Sequence, residues 1–154
     1  KIAPEWRWAF QVFFQYGARP HELWEAEVLD NGLLRVSENT KTGSRVAMPR
    51  DKKLVEEWDL FGTGQERLPA TFGKKAAHPE QCVSMQFNRA RLEAGIEYTA
   101  YAIRHAWAIN SIKKGTNIRL AARSLGHTVS EHESTYLTWI TEKEMEDAML
   151  QEVA

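Results

Sequence analysis

Six of the eleven residues from position 6 to 16 are aromatic, and the run stops at Gly17 with Pro20 just beyond. This stretch constrains the fold more than any other. Aromatic side chains at that density call for burial, a glycine just past a periodic run ends a helix in the left-handed region, and proline cannot continue it. A buried helix over residues 6–16 is therefore predicted, with a second short helix over residues 20–24. The chain has 154 residues, 43% of them hydrophobic and 27% charged. That is enough to bury such a helix in one core and too little for two comfortable domains.

The texture changes at Glu25. Asp30-Asn31-Gly32 is a turn signal, followed by Leu33-Leu34-Arg35-Val36, then Asn39-Thr40-Lys41-Thr42-Gly43, then Arg45-Val46-Ala47-Met48. Three short runs divided by turn chemistry predict a small three-stranded antiparallel meander with Lys41 at or near a hairpin tip. Pro49 ends it. Residues 52–60 suit a helix. Residues 61–79 hold three Gly and two Pro beside Lys74-Lys75 and read as a loop. Helical spacing resumes at Cys82, Met85, Phe87 and Ala90 and runs to Gly95. A further helix fits residues 101–114, stopped by Gly115, and Thr116 or Asn117 caps another through Leu125, with Gly126 just past its end. Residues 141–153 form a last, acidic helix. The expected class is α+β, mainly helical, with one small sheet near the N-terminus.

The formal net charge of −1 is a cancellation. Residues 131–154 hold seven acids and one base, a net −6, while the other 130 residues hold nineteen bases against fourteen acids, a net +5. A mildly basic body suits an anionic partner, and an acidic tail suits another protein surface or solvent. The apolar runs are too short for a transmembrane helix, and a secretory core is interrupted by Glu5 and Arg7. One cysteine, Cys82, makes no internal disulfide, which fits a reducing cytoplasm. No Gly-rich phosphate loop, Cys-x-x-Cys pair or nucleophile elbow is present, and His127 and His132, five apart, are expected on different faces of a helix. Neither a metal nor a cofactor is implied.

Several polar residues stand in unusual contexts. Arg19 lies between two apolar segments in Gly17-Ala18-Arg19-Pro20-His21-Glu22-Leu23. Arg104 and His105 interrupt the apolar Tyr101-Ala102-Ile103-Arg104-His105-Ala106-Trp107. His127 follows Leu125-Gly126, and Tyr136 comes nine residues later. Taken singly, each has an ordinary structural reading: Arg19 pairs with Glu22, Gly126-His127 caps a helix, Tyr136 packs in a core.

Taken together, they resemble the catalytic domain of the tyrosine recombinases, the phage integrase family. Gly17-Ala18-Arg19-Pro20-His21-Glu22-Leu23 is similar to the family's first arginine motif with its supporting acid. Thr40-Lys41-Thr42-Gly43 resembles its hairpin lysine, and Tyr101-Ala102-Ile103-Arg104-His105 its second arginine box. Leu125-Gly126-His127 and Tyr136 resemble the last two elements, at the usual step of nine. Phe87-Asn88-Arg89-Ala90-Arg91 resembles the segment that precedes the second box. The resemblance covers residues 8–140. One position departs from the pattern: Tyr101 stands where the family commonly has His, and a phenol is a poorer proton acceptor near neutrality than an imidazole.

The resemblance implies metal-free cleavage and rejoining of double-stranded DNA through a 3′-phosphotyrosine. Arg19 and Arg104 would neutralise the phosphate, Tyr136 would be the nucleophile and Lys41 the general acid. His127 would hydrogen-bond the phosphate or help position it, Tyr101 would donate a hydrogen bond to it, Glu22 would orient Arg19, and His105 would support the site. Lys74, Lys75, Arg89 and Arg91 are the expected DNA contacts. Residues 1–154 would be a catalytic domain without the N-terminal DNA-clamping domain of full-length members, and the C-terminal segment, with Met145, Ala148, Met149 and Val153 on one stripe, would pack on a neighbouring protomer or in cis. Three rivals stand at this level. One is a helix-turn-helix DNA-binding module over residues 118–136 without chemistry. Another is a related strand-passage or resolving enzyme with the same residues. The third, outside nucleic acids, is a metal-free hydrolase using His and Tyr.

Overall fold

The computed structural model describes residues 1–37, 43–69 and 78–154, and of Tyr136 the backbone alone. Lys41, Lys74 and Lys75 lie outside the described residues.

A 3-10 turn over Pro4–Trp6 leads into α1, Arg7–Tyr16, which buries Trp8, Phe10, Val12, Phe13 and Tyr16. Phe87 from α4 (Pro79–Glu93) fills the space beside it, stacked on Phe10 at 4.4 Å between ring centroids and tilted against Phe13 at 5.2 Å. Each such pair contributes about 0.5–1.5 kcal/mol beyond the area it buries. The polar ends of the other large rings are satisfied. The Trp8 indole donates to the carbonyl of Leu60, and the Tyr16 hydroxyl to that of Gly32, each at 2.8 Å. Pro20–Trp24 is a 3-10 turn packed on α4.

The sheet has four strands, one more than the meander expected: β1 Glu27–Val28, β2 Leu34–Val36, β3 Arg45–Ala47 and β4 Gly62–Thr63, in the spatial order β3-β2-β1-β4, antiparallel throughout. The fourth strand lies in the segment read as a loop. Two residues, one of them glycine, carry no alternation from which a strand can be read. The same segment also holds a short helix, α3, Gly64–Arg67. Its first residue is a site of close approach, because a Cβ on Gly64 would sit 1.7 Å from the carbonyl oxygen of Leu23.

The helix over residues 52–60 is shorter than expected, Lys52–Glu57 (α2). Beyond α4 come α5 (Ala100–Lys113), α6 (Ile118–Leu125), α7 (Val129–Tyr136) and α8 (Glu142–Glu152), with a 3-10 turn, Leu137–Trp139, between the last two. Helix α5 packs across α1, and α6 packs on β3. The expected α+β class, mainly helical with a small antiparallel sheet, is what the chain forms. Among the described residues no helix is long and apolar enough to cross a membrane.

Candidate active site

Two helix ends and one 3-10 turn converge on a single cleft. Helix α1 ends in a left-handed Gly17 at φ 60°, whose N–H donates to the carbonyl of Phe13. A Cβ at Gly17 would lie 3.0 Å from Leu125 and 3.1 Å from Trp107, so glycine is required for both torsion and space. Helix α6 ends in a Schellman motif: Gly126 at φ 67° donates to Arg123, and the N–H of His127 donates to Ala122 at 2.9 Å. Thr128 then caps α7 in a capping box with Glu131. His127 is thus fixed between two helix ends with one residue of slack.

Arg104 joins these ends. It is 2% exposed, donates to the carbonyl of Gly17 at 2.7 Å and to that of Leu125, and its Nη2 lies 3.0 Å from Nε2 of His127. Guanidinium has no acceptor, so the imidazole Nε2 accepts and the ring proton sits on Nδ1. Burial, then the charges of Arg104 and Arg19, hold the His127 pKa down to about 4. His132 is fully buried, and its ring lies 6.2 Å from that of His127. The five-residue spacing did not separate the two rings, because His127 precedes the helix that carries His132. Burial and then Arg104 lower the His132 pKa as well.

Across the cleft, Glu22 holds two arginines. Its carboxylate accepts from the backbone N–H of Arg19 at 2.7 Å and from Arg19 Nη1 at 3.0 Å. It also accepts from Arg45 Nη1 at 2.8 Å and Nη2 at 2.7 Å. Burial alone would raise the Glu22 carboxyl. The hydrogen bonds and charge of Arg45, followed by those of Arg19, bring it down to about 2. Arg45 was not among the sequence candidates. The available signal was its place on β3, where Arg45 and Ala47 face inward while the apolar Val46 faces out.

Arg19, Tyr101, His127 and Thr128 line a cleft of about 750 Å³ together with Arg119 and Arg123. The last two lie one turn apart on α6, are exposed, and make no ion pair with another described residue. They too were absent from the sequence candidates, although an i, i+4 pair of arginines just before Leu125-Gly126-His127 was there to be seen. Tyr101 is exposed at the cleft edge and meets His105 edge-on at 4.6 Å, and His105 in turn faces Trp139 at 6.3 Å. Burial, then Arg104, lowers the His105 pKa.

The remaining candidates lie elsewhere. Arg89 pairs with Glu93 at 2.7 Å on an exposed face of α4. Arg91 is buried and donates to Asn88 and to the carbonyls of Ile96 and Glu97, which ties down the end of α4. The backbone of Tyr136 closes α7. Helix α8 packs against α5, where Lys113 meets Glu144 at 2.6 Å, and leaves Met149, Leu150 and Val153 exposed. Among the described residues no group of three or more His, Cys, Asp or Glu is arranged to hold a metal ion.

Three arginines, Arg19, Arg119 and Arg123, line one cleft with the His127 imidazole, and the fold that carries it is known. The chain aligns with the XerA recombinase at a TM-score of 0.61 and 16% identity, over 94% of this chain and 57% of that one. It aligns with the XerH site-specific recombinase, in a post-cleavage complex with its difH substrate, at a TM-score of 0.55 and 17% identity, over 99% and 48%. The fold is that of the tyrosine recombinase catalytic domain.

In sequence, the chain is 33% identical to excisase C of Nostoc sp. (strain PCC 7120) over 144 residues, and 32% identical to excisase A of the same organism over 152 residues. These alignments cover 87% and 88% of this chain. No family model matches. The resemblance read from the sequence is borne out in the fold, which the chain shares with the recombinases, and in its sequence similarity to the two excisases. It spans 29% and 31% of the length of the two excisases.

Proposed function

We propose that this chain is the catalytic part of a site-specific DNA recombinase that cleaves and rejoins double-stranded DNA through a 3′-phosphotyrosine. The observation that carries the reading is the placement of Arg19 and His127 on one cleft, with the buried Arg104, held by the carbonyls of Gly17 and Leu125, against the His127 ring. A phosphodiester is anionic, and its displacement concentrates charge on the non-bridging oxygens. Guanidiniums fixed in advance meet that charge without reorganisation. Tyr136 is the nucleophile, Lys41 protonates the departing 5′-oxygen, and His127 helps position the phosphate through its contact with Arg104. Glu22 orients Arg19, Tyr101 donates to a phosphate oxygen, and His105 supports Tyr101 from behind. The charge for phosphate binding comes from side chains, so the reaction is written without a metal.

Double-stranded DNA as the partner is supported by the XerH structures, which contain that protein's difH substrate. Arg119 and Arg123 extend the cationic wall away from the reacting phosphate, and Lys74, Lys75 and Arg89 are further candidates for the DNA backbone. Self-association on DNA through the C-terminal segment is supported by the exposed Met149, Leu150 and Val153 on α8. A helix-turn-helix module without chemistry accounts for α6 and α7 but leaves the carboxylate shared by Arg19 and Arg45 without a purpose. A duplex nicked just 3′ of the scissile phosphate, which on cleavage loses the short fragment bearing the free 5′-hydroxyl, traps a covalent adduct. The proposal expects the adduct from the parent and none from Tyr136→Phe, with duplex binding retained. DNA binding with no adduct from either protein would favour the non-catalytic module.

A further inference from the structure

We infer that Arg45 is a positioning residue for strand cleavage, locking Glu22 and the Ser124 carbonyl into one frame and so setting Arg19 against His127 across the cleft. This rests on the recombinase reading above. Arg45 is 5% exposed and points inward from β3. Its two Nη atoms reach both oxygens of Glu22, at 2.8 and 2.7 Å, and its Nε donates to the carbonyl of Ser124 at 3.0 Å. The other donors to Glu22 are the backbone and side chain of Arg19. Ser124 lies three residues before His127, and its hydroxyl accepts from the N–H of Met48, next along from β3.

One side chain therefore connects the segment that carries Arg19 to the helix end that carries His127. The connection has a fixed geometry. A guanidinium fork matches a carboxylate with two parallel bonds and still has Nε to donate, whereas an ammonium is a point charge that cannot satisfy both partners in that arrangement. Nε, Nη1 and Nη2 of Arg45 each bond Glu22 or the Ser124 carbonyl, so although Arg45 borders the same cleft, its action on the reaction is assigned to the placement of Arg19 and His127. A change at position 45 should then alter the rate of the chemical step more than the affinity for DNA. A misplacement of about 1 Å in such a site costs up to ~10²-fold in rate.

The test compares the parent with Arg45→Lys and Arg45→Gln on the nicked duplex, reading melting temperature, duplex affinity, and the single-turnover rate of adduct formation against pH. Arg45→Lys keeps the charge and carries the test if Arg45→Gln fails to fold. The expected result for Arg45→Lys is a cooperative melt, duplex affinity within about twofold of the parent, and an adduct rate down about tenfold or more. In Arg45→Gln the acid limb of the rate moves to higher pH, because Glu22 loses its main ionic partner. An Arg45→Lys protein that forms adduct at the parental rate overturns the inference. So does one whose affinity falls in step with its rate, which would make Arg45 a DNA contact. If the parent forms no adduct, the recombinase reading fails and the inference falls with it.

Discussion

Arg104 Nη2 lies 3.0 Å from Nε2 of His127, and the imidazole it meets stays neutral down to about pH 4. The site thus presents fixed cations beside a ring that carries no charge at neutral pH. In Arg104→Met, burial still disfavours the charged ring but the largest nearby charge is gone. The His127 titration, followed by NMR of its ring carbons, should move up from about 4 while staying below 6.5. An unmoved titration would mean that Arg104 does not set the state of His127. The same variant leaves the carbonyls of Gly17 and Leu125 without their donor, at about 1–3 kcal/mol each, so its melting temperature should fall.

Acid should weaken the fold in two windows. Glu22 titrates at about 2 in the folded chain against an ordinary 4.5. A depressed carboxyl contributes stability that is complete above its unfolded value and is lost as pH falls from 4.5 toward 2. The shift corresponds to about 3 kcal/mol. His127 acts earlier: its folded value lies below its unfolded one, so protonation favours the unfolded chain as pH falls from 6.5 toward 4. Urea unfolding at a series of pH values should show both losses in the parent. Glu22→Gln, though less stable overall because Arg45 is left buried without its carboxylate, should lack the loss between 4.5 and 2. Parallel curves for the two proteins would contradict the assignment.

Gly17→Ala should destabilise by more than the ordinary Gly-to-Ala change, because the residue is left-handed and a Cβ there meets Leu125 and Trp107 at 3.0–3.1 Å. A loss of about 1–3 kcal/mol in a denaturant melt is expected. Since the Gly17 carbonyl holds Arg104, adduct formation should fall with it. A neutral Gly17→Ala would show that the close approach is not needed.

Much of this site was legible before the structure. Gly17, Gly115 and Gly126 end helices where glycine after an apolar run says they should, and Leu125-Gly126-His127 is a junction whose role follows from the left-handed torsion of its middle residue. What escaped notice was set by long-range partners. Arg45 reads as one residue of a short strand until its partners, Glu22 twenty-three residues away and Ser124 seventy-nine away, are brought beside it. Arg91 reads as a surface base on α4 yet turns back onto the carbonyls of Ile96 and Glu97. β4 is too short to have a period, and it exists because β1 offers it an edge.

Arg119→Ala and Arg123→Ala should weaken binding to duplexes of any sequence. Each neutralised phosphate contributes ~0.9 to the slope of log K against log salt, so the double variant should flatten that slope by roughly 2. Fluorescence anisotropy over a salt series measures it. An unchanged slope would remove α6 from the DNA path.

The most direct test of the account is to digest the adduct trapped from a nicked duplex and locate the modified residue by mass spectrometry. The account predicts one peptide, containing Tyr136, carrying a 3′-linked nucleotide phosphate. A covalent nucleotide on any other residue, or an abundant non-covalent complex with no modified peptide, would contradict it.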